Sequence, residues 1–270
     1  MQSQAPELIQ TMTLNEVTLT IAFSTLTKRL GNIDYPKNGP EREIIVLVQN
    51  PDESNYSTEK LQGKLVELKG KGVAKSRNAA IQYASGKYLI FGDDDITFVE
   101  DGLKECISYL ESHPECSIIM AQTADENGKL RKTYPKKSHK LSRFNSAKAA
   151  TYELVIRIES IRKAGIKFDE NFGAGAENYL GDEYIFIADS LKKGLKGVFL
   201  PITVAIHPSE SSGSLWGTDR DLKARSKVFS RVFGPTAPFF RALFLIKSQL
   251  FKFRKGRVGI INSIRFIIGR

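Results

Sequence analysis

The stretch GKYLIFGDDDITF, which spans Gly86 to Phe98, decides the fold class. Its apolar run from Tyr88 to Phe91 is typical of a buried strand, and Gly92 and three consecutive aspartates follow it. Neighbouring carboxylates repel one another, so one of them binds a proton unless a positive charge lies between them. The stretch therefore predicts a strand whose carboxyl end faces a cation.

Strands and helices alternate around this stretch, which indicates βαβ units and an α/β fold with a largely parallel sheet. A basic segment over 134–148 predicts a long loop, and Pro201 predicts that the last strand lies at a sheet edge. The pattern predicts strands over 17–23, 43–48, 64–68, 88–91, 117–120 and 198–206, and helices over 73–84, 102–112, 153–164 and 184–194.

Polar residues follow three of the predicted strands, and ligands of such sheets bind beyond the carboxyl ends of the strands. Ser24 and Thr25 end the first strand, Gln49 ends the second, and the aspartates end the fourth. Asp93 and Asp95 have the spacing with which two carboxylates share a hard cation such as Mg²⁺. A solvated acidic turn is the alternative, and the strand context favours the metal.

The segment from Lys69 to Asn78 supplies positive charge at a helix start, which suits a phosphate group. A basic, solvated helix start explains the same residues equally well. A GxGxxG fingerprint and a Walker A loop are both absent from the sequence, which argues against dehydrogenases and P-loop NTPases.

Four more residues are candidates for a site, each with a structural alternative. Asp182 and Glu183 precede a helix, where acids usually cap, and they become functional only if their loop folds over the sheet edge. His207 ends a strand and is a possible third metal ligand, although a lone histidine is more often structural. Trp216 could stack on an acceptor sugar or pack at a rim.

The charge is concentrated at the C-terminus. The net charge is +10, and residues 221–270 contain twelve lysines or arginines but one acid, so the rest is nearly neutral. Apolar stripes of helical spacing accompany these cations, which is typical of helices that lie in a membrane interface. We expect residues 1–220 to form one domain and residues 221–270 a basic amphipathic helical tail that contacts an anionic membrane surface.

Other features of the composition indicate the compartment. Cys106 and Cys116 form no disulfide framework, so a reducing cytoplasm is expected. The N-terminus lacks the pattern of a signal peptide, and no apolar run approaches the roughly 18 residues of a membrane-spanning helix.

Several motifs together resemble the family 2 glycosyltransferases, which have the GT-A fold. Gly72–Asn78, Ala84–Phe91 and Asp93–Asp95 are similar, in order, to the family's G-x-x-x-A-R-N, A-x-G-x-Y-[IL]-x-F and D-x-D patterns. Gly165–Gly173 is similar to G-[LI]-x-F-D-E-x-F, and Gly181–Glu183 stands where such enzymes carry G-E-D or G-E-E. The strand ends at Ser24 and Gln49 depart from the family's P-T-Y-N and D-D-G-S.

The resemblance implies an inverting transferase that moves a sugar from a nucleotide-diphosphate donor, with a UDP-sugar favoured. Glu183 would be the base and Asp182 its neighbour. Asp93, Asp95 and His207 would hold Mg²⁺ or Mn²⁺, and Trp216 would contact the acceptor. The residues implied in donor binding are Ser24, Thr25, Gln49, Arg77, Asn78, Asp93 and Asp94.

The basic tail adds an expectation about the acceptor. A saccharide, possibly a lipid-linked one, would be extended in surface polysaccharide synthesis at the inner face of the membrane. Two alternatives are a nucleotidyltransferase that makes nucleotide-sugars and a non-enzymatic protein that binds nucleic acid through its tail. The first would carry a Gly-rich loop after the first strand, and the second needs no apolar stripe, so we expect no nucleic-acid partner.

Overall fold

A computed structural model describes residues 17–37, 39–50, 56–208, 218–250 and 259–269. Nine strands form one mixed sheet, and helices pack on both of its faces. The strands are β1 (Leu19–Leu26), β2 (Arg42–Gln49), β3 (Lys64–Leu68), β4 (Tyr88–Asp93), β5 (Thr97–Phe98), β6 (Cys116–Ala124), β7 (His139–Lys140), β8 (Leu154–Arg157) and β9 (Lys196–Ile206). The helices are α1 (Val73–Tyr83), α2 (Glu100–Ser112), α3 (Ile158–Lys163), α4 (Asp182–Lys192), α5 (Asp219–Phe233), α6 (Ala237–Leu250) and α7 (Ile260–Ile268).

The sheet order is β3-β2-β1-β4-β8-β6-β9-β5, with β7 also paired to β9. Strands β1 to β4 are parallel neighbours, and β8 runs antiparallel between β4 and β6. Both β4 and β6 run antiparallel to β8, so they are parallel to each other, and β9 is parallel to β6. The carboxyl ends of β1, β2, β4 and β9 therefore all point to the same edge of the sheet. The chain order reverses between β1 and β4, which is where open α/β sheets bind ligands.

The core lies on both faces of the sheet. Side chains of β2 alternate between the two faces, with Ile44, Val46 and Val48 on one and Ile45 and Leu47 on the other. Burial on both faces explains why the strand is a continuous apolar run in the sequence.

The predicted helix over 153–164 is partly wrong. Residues Leu154–Arg157 form β8, and only Ile158–Lys163 is helical. Leu154, Val155 and Ile156 are fully buried, because β8 fills the gap between β4 and β6 and contacts the core on both faces.

The prediction that the last strand lies at the sheet edge is also wrong. Two short strands, β5 and β7, pair with the outer side of β9, and β7 lies inside the segment predicted as a loop. Pro201 lies between the two paired stretches, where the register with β6 also shifts. A residue without an N–H is tolerated there because no ladder hydrogen bond is lost.

The C-terminal helices pack against the body that contains the sheet and against one another. Val228 and Phe233 of α5 share an apolar cluster with Phe172, Tyr184 and Ile185. A second small cluster joins α5, α6 and α7. Within the described ranges, none of the helices is both long and apolar enough to cross a membrane. The division at residue 220 stays a prediction, and α5 begins just before it.

Candidate active site

The first part of the site lies at the carboxyl ends of β1 and β4. The strand register places Ser24 beside Asp93, and the Ser24 hydroxyl donates to Ser76 Oγ of α1 at 2.7 Å. Thr25 Oγ1 donates to Asp94 Oδ2 at 2.7 Å. Adjacent parallel strands thus bring the polar residues of the two strand ends together, as the sequence predicts.

Asp93, Asp94 and Asp95, the aspartate cluster, differ in exposure. Asp94 is buried, Asp93 is half-buried and Asp95 is exposed. Burial raises the pKa of Asp93, and the charges of Asp95 and Glu183 add to this, although Arg77 partly offsets the rise. Arg29 contacts Asp94 and also reaches Asp95 Oδ2 at 3.2 Å. A single guanidinium therefore supplies positive charge between two of the three carboxylates.

His207 joins the cluster from the end of β9. Its Nε2 lies 3.8 Å from Asp95 Oδ1, while its Nδ1 lies 2.8 Å from the carbonyl oxygen of Pro208. If Nδ1 carries the proton and donates to that carbonyl, the lone pair of Nε2 faces Asp95. In that tautomer the second ring nitrogen has the unprotonated form that a metal ligand needs.

The pair formed by Asp95 and His207 fits a divalent cation. Two donor atoms, each about 2.1 Å from one ion, lie roughly 3.0 to 4.2 Å apart, and the observed 3.8 Å is within this range. Within the part of the chain that the structure describes, no three His, Cys, Asp or Glu side chains are grouped so that they could hold a metal. A Mg²⁺-type site with two protein ligands completes its coordination with water and substrate phosphates.

The second part of the site is the base cluster, which consists of Arg77, Asp182 and Glu183. The guanidinium of Arg77 is buried under the loop before α4, contacts Asp182, and lies 3.3 Å from Glu183 Oε1. Gly173 makes this packing possible, since a Cβ at its position would lie 2.8 Å from the Asp182 carboxylate. The loop before α4 therefore folds back onto α1, and the functional roles of Asp182 and Glu183 stay predictions.

The environment separates the two carboxyls of the base cluster. Burial and the neighbouring charge of Glu183 raise the pKa of Asp182. Burial also acts to raise the pKa of Glu183, but Arg77 and the Thr151 hydroxyl, which donates at 2.7 Å, lower it overall. The side chain of Glu183 is 19% exposed, compared with 3% for Asp182. Glu183 is thus the more exposed of the two carboxyls and the one whose pKa is lowered.

The positive charge of Arg77 is permanent. Burial lowers its pKa, but the carboxylates of Asp182, Glu183 and Asp93 outweigh this and raise it. The structure places Arg77 between the Asp182 and Glu183 carboxyls and over the ring of Phe168, at 5.7 Å from the ring centroid.

Two predicted donor-binding amides make contacts within the protein. The side-chain Oε1 of Gln49 accepts the backbone N–H of Gly72 at 2.8 Å. The backbone N–H of Val73 donates to the Ala174 carbonyl at 3.0 Å, so both backbone N–H groups at the start of α1 have acceptors within the protein. Asn78 holds Phe168 by two hydrogen bonds, its Oδ1 accepting at 2.8 Å and its Nδ2 donating at 3.0 Å. The donor-binding roles of Gln49 and Asn78 stay predictions, and Trp216 lies outside the described residues.

Sequence reasoning missed Arg29, Thr151 and Tyr152. The ring of Tyr152 lies 5.4 Å from that of His207. Burial raises the pKa of Tyr152, and the charges of Glu153, of Asp93 in the aspartate cluster and of Glu183 in the base cluster add to this rise. Thr151 and Tyr152 directly precede β8, which the sequence predicts as helix, so no strand end indicates them, whereas Arg29 lies on a short 3-10 helix after β1.

A central mixed α/β sheet flanked by helices is the architecture of the GT-A fold. The chain belongs to Glycosyl transferase family 2, whose sequence profile matches residues 12–172.

The comparisons with individual proteins support the same fold. A curated relative, the poly(ribitol-phosphate) beta-N-acetylglucosaminyltransferase TarS of Staphylococcus aureus, is 25% identical over 114 residues, which are 40% of this chain but 19% of TarS. The crystal structure of S. aureus TarS 1-349 with UDP-GlcNAc has a TM-score of 0.59 at 15% identity and covers 93% of this chain and 79% of that one. The mannosyltransferase PcManGT of Pyrobaculum calidifontis, with GDP-Man and Mn²⁺, has a TM-score of 0.54 at 14% identity and covers the same shares.

Proposed function

We propose that the protein transfers a sugar from a nucleotide-diphosphate donor to an acceptor hydroxyl with inversion at the anomeric carbon. The observation that carries the proposal is the ionised, accessible Glu183 at the same sheet edge as the Asp95–His207 pair. Inversion by single displacement needs one base and no enzymatic nucleophile. Family membership favours sugar transfer over the synthesis of nucleotide-sugars.

On the donor side, Asp95 and His207 would hold a divalent cation, with Asp93 beside them. When bound, the cation supplies positive charge to the diphosphate that leaves. The structure of PcManGT was determined with Mn²⁺, which supports this choice for a related fold. Asp94 is bound by Thr25 and Arg29, so its role is to hold the strand end and the arginine in place.

On the acceptor side, Glu183 would remove the proton of the attacking hydroxyl. General-base catalysis requires a carboxylate that is ionised, accessible and within hydrogen-bond reach of that hydroxyl. Arg77 and Thr151 meet the first requirement, since both lower the pKa of Glu183. We therefore assign Arg77 to the base, rather than to the nucleotide that the family resemblance implies as its partner.

The donor we propose is a UDP-sugar. TarS is named as an N-acetylglucosaminyltransferase, and its structure has been determined with UDP-GlcNAc. PcManGT was determined with GDP-Man, so the fold itself accepts either base. The word beta in the name of TarS supports inversion, because it describes a β-linked product and UDP-GlcNAc is an α-linked donor.

The acceptor we propose is a saccharide of a surface polysaccharide, extended at the inner face of the membrane. The helices α6 and α7 support membrane association, since each has an exposed apolar face beside basic residues. The exposed apolar side chains are Phe239, Leu243, Ile246, Ile260, Ile261, Ile264 and Ile268.

The test of sugar transfer is UDP-sugar hydrolysis and transfer by two variants. Glu183→Gln should lower kcat by about 100- to 10,000-fold, the usual contribution of a general base. Asp95→Ala should abolish stimulation by Mn²⁺. Glu111→Gln, at an exposed carboxylate paired to Lys87, is the control and should leave both rates unchanged. Wild-type rates in the first two variants would defeat the assignment.

The test of membrane association is co-sedimentation of the full chain with vesicles that contain phosphatidylglycerol. Combined Phe239→Ser, Ile246→Ser and Ile264→Ser should release the protein from the vesicles. Tyr83→Ser removes a similarly exposed ring from α1 and should not. Equal binding by all three proteins would exclude the tail as the membrane contact.

A further inference from the structure

Residues 131–148, here called the basic strap, form the second basic region of the protein. The strap contains seven lysines or arginines and no acid. Among the described residues, no carboxylate lies within ion-pair distance of Lys136, Lys137 or Lys140, all of which are exposed. Like charges on one exposed segment repel one another, so an anionic partner would relieve the repulsion. The seven cations are Arg131, Lys132, Lys136, Lys137, Lys140, Arg143 and Lys148.

Both ends of the strap lie at the candidate active site. At its start, Arg131 donates to the carbonyl of Pro208, the residue after His207. Just beyond its end, Thr151 donates to Glu183 at 2.7 Å. An anionic chain bound along the strap would therefore lie next to both the proposed metal ligand and the proposed base.

A buried carboxylate, that of Glu153, anchors the strap through hydrogen bonds. Glu153 is 1% exposed and accepts hydrogen bonds from Lys132 Nζ at 2.9 Å, the Ala150 N–H at 3.0 Å and Thr123 Oγ1 at 3.2 Å. The hydroxyl of Tyr134 donates to the same carboxylate. These bonds fix both ends of the strap to β6, so a ligand meets a surface that is already ordered.

The middle of the strap is fixed as well. β7 pairs with β9, Leu141 is buried, and the carbonyl of Arg143 accepts the Tyr184 hydroxyl. The exposed lysines therefore extend from a folded scaffold.

We propose that the basic strap binds an anionic acceptor polymer, with phosphate or carboxylate in its repeating unit, and leads it to Glu183. The inference deepens the proposed function and rests on it. The strap differs from the tail in its apolar content, because Phe144 is its one large, exposed apolar side chain among the described residues, whereas α6 and α7 expose seven. This composition favours a hydrated polyanion over a membrane surface.

The test compares two triple variants of the full chain with the same loss of charge. The strap variant combines Lys136→Gln, Lys137→Gln and Lys140→Gln, and the control combines Lys223→Gln, Lys227→Gln and Lys247→Gln. The probes are long-chain polyphosphate, polygalacturonate and neutral dextran. The strap variant should bind a polyanion about tenfold more weakly than the wild type and with a shallower salt dependence, because fewer counterions are released. The control should bind as the wild type does.

Each outcome decides the proposal. A preference of the wild type for polyphosphate or for polygalacturonate identifies the anionic group. The proposal is overturned if the strap variant binds the polyanion as tightly as the wild type does, or if the strap variant and the control lose the same affinity for it. It is also overturned if the wild type binds neutral dextran as tightly as it binds the polyanion. If the strap variant no longer binds phosphatidylglycerol vesicles but still binds the polyanion, the strap is a membrane contact, and the proposal is overturned.

The test is separable from that of sugar transfer. The melting temperature and UDP binding of the strap variant should equal those of the wild type, which shows that it is folded. If no nucleotide-sugar is turned over while strap-dependent polyanion binding persists, the proposed function fails and the strap remains an anion-binding surface.

Discussion

The aspartate cluster and the base cluster solve the same electrostatic problem in different ways. Each contains carboxylates at the carboxyl edge of the sheet with one arginine between them. The side chain of Arg29 is 49% exposed, on a short 3-10 helix after β1, whereas that of Arg77 is 6% exposed, inside α1. The two clusters therefore differ in whether the positive charge can leave.

The difference assigns the two clusters different tasks. An exposed arginine contributes little to stability and can move aside for another cation. A buried arginine between two carboxylates cannot, because its loss leaves buried charges without a partner. The aspartate cluster has a replaceable positive charge, as the proposed metal site requires, and the base cluster has a permanent one, which lowers the pKa of Glu183.

Removal of the permanent charge should have the largest effect. We expect Arg77→Met to lower the free energy of unfolding by about 3–5 kcal/mol, because it removes the cation that Asp182, which is buried, and Glu183, which is partly buried, share. Denaturant unfolding measures this. Arg231→Met is the matched control, since Arg231 also bridges two carboxylates, Asp169 and Asp189, but is 38% exposed. The control should lose about 1 kcal/mol or less.

A second variant separates charge from packing in this prediction. Adding Asp182→Asn and Glu183→Gln to Arg77→Met should recover most of the lost stability, because no unpaired charge remains. If the triple variant is as unstable as the single one, Arg77 acts through its packing against Phe168 instead.

Removal of a proposed metal ligand should have the next largest effect. We expect Asp95→Asn to weaken Mn²⁺ binding in the presence of UDP by at least about tenfold, since the loss of even an outer-shell partner costs 10- to 100-fold. Electron paramagnetic resonance of free Mn²⁺ measures the affinity. Asp101→Asn removes the same charge from an exposed position on α2 and should leave the affinity unchanged. Unchanged affinity in Asp95→Asn would exclude Asp95 as a ligand.

Local patterns in the sequence predict much of the sheet and one of the two clusters. The predicted strand over 64–68 has the bounds of β3, and the predicted helix that begins at Val73 is α1. The aspartate cluster follows from one continuous stretch because a strand, a glycine and three acids are adjacent in the chain. The motif Gly181–Glu183, which is also one continuous stretch, makes Glu183 a candidate through the family resemblance.

Contacts between distant residues were not predictable. Arg29 and Asp95 are 66 residues apart, and Arg77 and Asp182 are 105 apart, so no local pattern indicates that either arginine contacts a carboxylate. The sequence predicts helix over β8 because a short apolar run fits both structures. Its strand conformation depends on pairing with β4 and β6, which tertiary structure alone supplies.

The raised pKa of Asp182 predicts a pH dependence of stability. A carboxyl whose pKa is higher in the folded than in the unfolded state binds more protons when folded, so its stabilisation is full below the unfolded value, near pH 4, and is lost as the pH rises. We expect Asp182→Asn to gain stability relative to the wild type over this rise, by about 1.4 kcal/mol for each unit of the shift. Unfolding from pH 4 to 8 tests it, with Asp101→Asn as the control. A difference that does not vary with pH would contradict the raised pKa.

Removal of the replaceable charge should have the smallest effect. Arg29→Ala should change the free energy of unfolding by less than about 1 kcal/mol. It should also tighten Mn²⁺ binding about fivefold at low salt, the effect of roughly 1 kcal/mol of repulsion between the guanidinium and the ion, and the gain should shrink as salt screens the charges. Lys28→Ala, at the exposed neighbouring residue, is the control for net charge and should have less effect. Weaker Mn²⁺ binding by Arg29→Ala would mean that Arg29 orients the Asp95 carboxylate for the ion, and the two arginines would then both be permanent parts of their clusters.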